Sequence, residues 1–396
     1  MNKKCLAVAA AMCVAAGLCA AEVKSTKIED VDRYMTYKEP DTENLIWFKP
    51  SIDENAPFKL IGFAWYGKDG EYFRLPKEPG VTLRDGVTYL AKHTAGGQVR
   101  FRTNSNRVVV RAKTRGFGVM NHMPQTGSGG FDLYVGDGTK QNFCGTTTYG
   151  VNETEFKSQL FGAGDGKTMH DFTLNFPLYN GVESVEIGID KDAQLEQPLP
   201  FSDDRPVVIY GTSITQGGCA SRPGMLFTNI LSRRLNVPFI NLGFSGNGCG
   251  DPELAELICQ IPNPRLIILD YEANSLTLDM NTTLEPFMDI LRKNLPDTPI
   301  LIMTRVRFSE EATLKTNTMA DERSNAAAVR FQHQKNEYDR WVKKGDKHIY
   351  FLDGGTLMGD DYADCFVDGI HPTDLGFYRM ANTMEPVLTQ IFEQEK

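Results

Sequence analysis

From Glu22 to about Ile189, apolar and polar residues mostly alternate in short runs separated by glycine-rich breaks. The alternation is plain in Val185-Glu186-Ile187-Gly188-Ile189 and in the run 108–110, which follows the turn-forming Asn104-Ser105-Asn106. Breaks fall at Lys68-Asp69-Gly70, Gly96-Gly97, Gly127-Ser128-Gly129-Gly130 and Gly162-Ala163-Gly164. A side-chain period of two belongs to strands with one buried face, because successive Cβ atoms point to opposite sides of a sheet. Many such strands with few helical stretches predict an antiparallel sandwich over residues 22–202. Between Lys191 and Pro206 the chain turns polar and proline-rich (Pro198, Pro200, Pro206), which marks a domain boundary.

Past that boundary the pattern changes to short, nearly continuous apolar runs alternating with helical stretches. Strands are expected at 207–210, 239–242, 266–269, 300–303 and 348–352, and helices near 225–235, 252–260, 283–294, 321–344 and 373–392. Continuous apolar strands are buried on both faces, so residues 203–396 are expected to form an α/β domain: a five-stranded parallel sheet with helices on both sides.

Composition narrows the class. The chain has 396 residues, 41% hydrophobic and 23% charged, with a formal net charge of -9. That is a core-forming globular protein whose acidic surface argues against a nucleic-acid or anionic-membrane partner. Lys3 and Lys4 precede an apolar run, 6–18, that ends in Cys19-Ala20-Ala21 before the polar chain opens at Glu22. Basic, apolar, then small residues is the order of a secretory signal peptide over 1–21, too short for a membrane span, and it implies a periplasmic or secreted protein. A lipoprotein signal would want a small residue where Leu18 precedes Cys19. Five cysteines would remain after cleavage (Cys144, Cys219, Cys249, Cys259, Cys365), with no C-x-x-C spacing of a zinc site. Cys219 and Cys249 both follow predicted strand ends, so a bridge between them stands open beside their reading as small buried hydrophobes.

The stretch 206–223, PVVIYGTSITQGGCASRP, organises the second half. Its strand ends in Gly211 and delivers Thr212, Ser213 and Thr215 to the carboxyl edge of the sheet, where α/β folds place their chemistry. Taken alone, Ser213 or Thr215 reads as a helix cap. The other strand ends change that weighting. The second leads into Gly243-Phe244-Ser245-Gly246, the third into Asp270-Tyr271-Glu272-Ala273-Asn274, and the loop before the last helix carries Asp368-Gly369-Ile370-His371-Pro372. In a parallel sheet all of these surface on one rim. Ser213 is a nucleophile once a base removes its proton; His371 is that base, and Asp368 fixes its tautomer. Donors for an oxyanion are the N–H groups of Ser213 and Gly246 and the side-chain amide of Asn274. The remaining histidines fall in the sandwich (His93, His122, His170) or around a late helix (His333, His348), which leaves His371 alone on the rim.

These blocks resemble the SGNH, or GDSL-type, hydrolases, and Gly130-Phe131-Asp132-Leu133-Tyr134 resembles the GxDLY segment of a β-rich domain upstream of some SGNH esterases. The resemblance implies a flavodoxin-like three-layer domain with Ser213 as nucleophile, Gly246 and Asn274 as oxyanion donors, and Asp368 and His371 as acid and base. No metal or organic cofactor is implied. The sequence departs from the family where its first block usually has Asp and this chain has Thr212, and where G-x-N-D becomes Glu272-Ala273-Asn274-Ser275.

The expectation is an exported serine esterase removing O-acyl groups, acetyl first among them, from a small-molecule or glycan ester through an acyl-serine. Two alternatives are a lipase, thioesterase or acyltransferase with the same triad, and an inactive glycan-binding protein using aromatics such as Trp47, Trp65 or Tyr66. Arg222, Arg305, Arg307 and Glu272 are lesser candidates for the cleft, with ion pairing the default role for Arg222.

Overall fold

The computed structural model describes residues 27–32, 36–50, 57–116, 120–275, 279–312 and 318–396; the segment read as a signal peptide lies outside them. Residues 39–396 form one compact unit. Among the described residues no helix is long and apolar enough to cross a membrane.

Period-two patterning produces two antiparallel sheets. The strands are β1 (Leu45–Phe48), β2 (Phe58–Ile61), β3 (Gln98–Thr103), β4 (Val108–Thr114), β5 (Asp132–Val135), β6 (Asn142–Thr146), β7 (Glu155–Phe161), β8 (His170–Asn175), β9 (Val182–Asp190) and β10 (Leu195–Glu196). One sheet has the order β1-β9-β4-β7; the other runs β10-β3-β8-β5-β6, with β2 also pairing with β3. Alternate residues such as Val108, Val110 and Ala112 meet Phe101, Phe131, Phe172 and Leu174 in one aromatic-rich core. Trp65 is buried, although against the α/β half of the protein, and Trp47 lies under the Arg111 guanidinium.

The second half contains β11 (Val207–Gly211), β12 (Phe239–Gly243), β13 (Leu266–Asp270), β14 (Ile300–Met303) and β15 (Ile349–Leu352), all parallel, in the order β12-β11-β13-β14-β15. This is the flavodoxin-like order, whose switch point lies between β11 and β13. The helices are α1 (Phe227–Leu235), α2 (Pro252–Ile258), α3 (Met280–Asn294), α4 (Thr318–Lys343) and α5 (Asp374–Gln394). Val207 and Ile209 face α1 and α5, where Phe227 stacks on Phe377; Val208 and Tyr210 face α2 and α3, where Tyr210 stacks on Phe287. A strand buried on both sides explains why β11 shows no alternation. Helix α3 begins three residues before the position expected from periodicity, because Asp279 caps it through the N–H of Asn281.

The sandwich half does not stand apart from the parallel sheet. Ala95, Met123, Leu178 and Tyr179 join the core on one side of the sheet, while Leu75, Val87 and Leu90 join the other. Arg74, fully buried, donates to the carbonyls of Leu90 and His93 in the first half and to those of Asn241 and Gly243 at the end of β12. Burial lowers its pKa to about 9, still well above neutrality, so it stays charged and is neutralised by oriented dipoles. Truncating it would leave several buried carbonyls without donors. Arg74→Ala is expected to cost about 3 kcal/mol or more in chemical denaturation; a loss below about 1 kcal/mol would show that these bonds contribute little.

Candidate active site

Strand β11 ends where Gly211 packs too closely for any side chain: a Cβ there would lie 2.0 Å from Thr215 Oγ. The chain then enters a four-residue turn, Ser213–Gln216, closed by a reciprocal cap. Thr212 Oγ accepts from the N–H of Ile214 (3.3 Å), and Thr215 Oγ accepts from the N–H of Thr212 (3.2 Å). Capping therefore falls to the two threonines that flank the serine, and the Ser213 hydroxyl is left for other work. The Thr215 hydroxyl also donates to Asp270 Oδ2 at 2.7 Å, tying the turn to the end of β13.

The loop before α5 brings the other groups. His371 Nε2 stands 2.9 Å from Ser213 Oγ, and His371 Nδ1 stands 2.7 Å from Asp368 Oδ2. Asp368 Oδ1 accepts from the N–H groups of Ile370 (3.0 Å) and His371 (2.7 Å), so the loop folds around the carboxylate. Burial would raise the Asp368 pKa, but the His371 and Ile370 hydrogen bonds outweigh it and bring the pKa down to about 2. Asp368 is thus ionised throughout the neutral range and orients an imidazole whose far nitrogen faces a serine hydroxyl.

Gly246, at φ +66, and Asn274 both line a cavity of about 570 Å³ that also includes Ser213 and His371. Among the described residues, the N–H groups of Ser213 and Gly246 are not engaged by other protein acceptors. Asn274 Nδ2 makes one long bond to the Phe244 carbonyl (3.3 Å), which leaves its second hydrogen available. Ala273, Phe308, Ala326 and Ile370 give the cavity apolar walls, and Arg305 and Arg330 add guanidinium groups. All five site residues expected from sequence therefore meet at one rim.

One expectation needs correction, and several open ones are decided. His371 is not alone: His122, from the loop after β4, has its ring 5.8 Å from that of His371 and its Nε2 3.9 Å from Asp368 Oδ2. No local signal in the sequence brings these two imidazoles together; only the docking of the sandwich does. The Cys219–Cys249 bridge does not form, and the two thiols are buried separately. Cys249 packs against the carbonyls of Gly246 and Asn274, as a small buried side chain would. Arg222 pairs with Asp132 (2.8 Å) and Tyr134 Oη (2.6 Å), a structural role. Arg307 donates to the carbonyls of Gly355 and Gly359, outside the cavity lining. Glu272 is buried and accepts from the N–H of Arg305 and from Gln334 Nε2 (2.8 Å each).

Sequence reading also missed the support beneath the nucleophile. Tyr179 Oη donates to the Ser213 carbonyl at 3.2 Å, and Gln216 reaches the Leu178 carbonyl (3.1 Å) while accepting from the N–H of Ser245 (3.0 Å). Ser221, just past the nucleophile turn, donates through its N–H and hydroxyl to Asp374 at the start of α5. The one metal-type grouping among the described residues is His122, Cys219 and His371, whose ligand atoms lie within 4.8 Å of one another. Burial pushes the Cys219 thiol up to about 12, so the thiolate is disfavoured until a cation displaces its proton.

Residues 204–389 match the GDSL-like lipase/acylhydrolase family, and residues 45–195 match the N-terminal domain of SGNH hydrolase-type esterases, GxDLY. A structure named as a GDSL-like lipase from Bacteroides ovatus is 29% identical, with a TM-score of 0.77 over 88% of this chain and 98% of its own. The salicylyl-acyltransferase SsfX3 of a tetracycline biosynthetic pathway shares the fold at 20% identity and a TM-score of 0.67, covering 89% of this chain and 98% of its own. A family two carbohydrate esterase from Cellvibrio japonicus shares it at 14% identity and a TM-score of 0.52, covering 89% and 100%. A search of curated proteins gives no match.

Two outcomes follow from this geometry. Burial pushes the Asp270 carboxyl up to about 7, against the Thr215 hydrogen bond and with help from the Glu272 charge. The folded value lies above the unfolded one, about 4, so folding takes up a proton and stability is lost as pH rises through this window. Asp270→Asn keeps the oxygen that accepts from Thr215. It is expected to raise Tm at about pH 8 and to change it little at about pH 4; equal shifts at both would refute the assignment. Zn²⁺ held by His122, Cys219 and His371 would occupy the imidazole that faces Ser213. Reversible inhibition of any Ser213-dependent activity is therefore expected, weakened in Cys219→Ser, and identical inhibition curves would exclude the site.

Proposed function

Since the chain belongs to the SGNH/GDSL hydrolases, with a GxDLY domain ahead of its GDSL-like lipase/acylhydrolase domain, we propose that it is an exported serine esterase that removes O-acyl groups from carbohydrate esters. The observation that carries this reading is the continuous hydrogen-bonded line from Asp368 through His371 to Ser213 Oγ. Ser213 Oγ attacks the ester carbonyl as its proton passes to His371 Nε2. The imidazolium is stabilised by Asp368, and the oxyanion is received by the N–H groups of Ser213 and Gly246 and by Asn274 Nδ2. Collapse expels the alcohol, which takes the proton from His371. Water then attacks the acyl-serine with His371 as base, releasing the carboxylic acid and restoring the hydroxyl. Each step uses a group this chain supplies.

The carbohydrate side is supported by the basic, apolar, small-residue order of the N-terminus, which suits export, and by the use of this fold in family two carbohydrate esterases. A second acyl class has its own support. A cavity of about 570 Å³ with Phe308 and Ile370 in its walls is larger than an acetyl group needs. Groups longer than acetyl, or aromatic ones, would bury more apolar surface there.

Ser213→Ala is expected to lower turnover of p-nitrophenyl acetate and acetylated oligosaccharides by about 10³-fold or more, with fluorophosphonate labelling lost at the same time. Undiminished turnover would overturn the reading, and failure of the wild-type protein to label would favour a binding protein instead. A chain-length series of p-nitrophenyl esters separates the acyl classes: kcat/KM peaking at acetate supports deacetylation, and a rise with length supports the larger group.

A further inference from the structure

We propose that the substrate carries a carboxylate, and that Arg330 on α4 holds it in the cavity beside Ser213. This inference rests on the hydrolase reading and extends it to a substrate class. Besides the groups assigned to catalysis, the cavity wall is mostly apolar, with Ala273, Phe308, Ala326 and Ile370; its charged members are Arg305 and Arg330. Their side chains are only 6% and 15% exposed, so both guanidiniums sit where water is scarce and hydrogen-bond partners matter.

The two arginines are not equivalent. Arg305 Nη1 donates to the Val306 carbonyl (2.8 Å) and to Glu311 Oε1 (2.6 Å), and its guanidinium lies over the Phe308 ring. Among the described residues, Arg330 has one ion pair, at 3.5 Å from its Nε to Glu272 Oε1; its Nε, like that of Arg305, makes no hydrogen bond, and no other side chain pairs with its guanidinium. Glu272 serves Arg305 from the same oxygen at 3.5 Å, while its other oxygen takes the N–H of Arg305 and Gln334 Nε2. One buried carboxylate is thus divided between two cations, and among the described residues Arg305 has a second acid where Arg330 has none.

Formal charge among the described members of the cluster is balanced, Arg305 and Arg330 against Glu272 and Glu311. What remains unused among the described residues is donor capacity on Arg330, and a largely buried guanidinium whose Nε lacks a hydrogen bond gains when an acceptor arrives. A guanidinium is a planar fork of N–H donors that matches a carboxylate in bidentate geometry. Neutral hydroxyls satisfy such a fork less well, because they offer neither its charge nor its paired acceptors.

The carboxylate can belong to the acyl half, as in a dicarboxylic hemiester, or to the alcohol half, as in an O-acylated uronic acid. One arm of the test compares p-nitrophenyl hemisuccinate with p-nitrophenyl butyrate; the other compares acetylated galacturonate oligomers with acetylated neutral xylo-oligomers. At least one pair is expected to favour the anionic member in kcat/KM, mainly through KM. Arg330→Gln is expected to lower that preference about tenfold or more, with Arg330→Lys between the two. As a check that needs no variant, galacturonate should inhibit wild-type hydrolysis of a neutral ester better than galactose does. No anionic preference in either pair, or equal losses on both members in Arg330→Gln, would overturn the inference while leaving neutral-ester hydrolysis in place. If the wild-type protein cleaves no ester at all, the hydrolase reading itself has failed.

Discussion

The carboxylate of Asp132 holds the two halves of this protein in register. It opens β5, is fully buried, and lies in the Gly130-Phe131-Asp132-Leu133-Tyr134 segment. Its Oδ2 accepts from Arg222 and from the N–H of Gly224, and its Oδ1 accepts from Asn175, all at 2.8 Å. A buried charge survives only when it is fully paired, and stripping one partner from such a site typically costs about 3–5 kcal/mol. Here the partners come from the sandwich and from the segment that follows the nucleophile turn. Neither half satisfies Asp132 alone, so the pairing specifies how the halves dock as well as stabilising them.

The consequences reach the rim of the parallel sheet. Holding Arg222 and Gly224 fixes the path of 221–224, and Ser221 in that path is bonded to Asp374, which opens the helix directly after the His371 loop. Arg233 and Arg222 lie over Tyr134, packing the same junction with aromatic area. Beneath the nucleophile, Tyr179 and Leu178 of the sandwich half hold the turn from below. The serine and the imidazole thus belong to elements braced by residues of the first half, and such bracing is what keeps a hydrogen bond of 2.9 Å in place between loops 158 residues apart.

Much of this was legible in the chain. Runs such as Val207-Val208-Ile209-Tyr210 are apolar throughout because both faces of a central parallel strand are covered, and that pattern needs no tertiary knowledge to recognise. Parallel strands put every strand-to-helix loop on one edge, so residues after β11, β12 and β13, together with the loop before α5, had to meet. The roles of Thr212 and Thr215 were less visible, because Ser213 and its neighbours have similar propensities as caps and only the hydrogen bonds separate them. His122 was misplaced for a different reason. It sits in a loop of the β half, and nothing within several residues of it encodes a partner some 250 positions away. Cys219 and Cys249 illustrate the converse, since matching positions after strand ends do not imply matching positions in space.

By itself the sequence determined the local quantities: the side-chain period that separates sandwich from parallel sheet, the five strands and their helices, and the serine, carboxylate and imidazole on one edge. These are properties of short segments, governed by backbone geometry and by which face of a segment must be buried. The fold alone decided how the sandwich packs against that edge, which brought His122 beside His371 and set Tyr179 under Ser213. It also decided the lining of the cavity and the division of Glu272 between Arg305 and Arg330. Those features depend on buried charges and close contacts between residues far apart in the chain, and their energies exist only once both surfaces have excluded water.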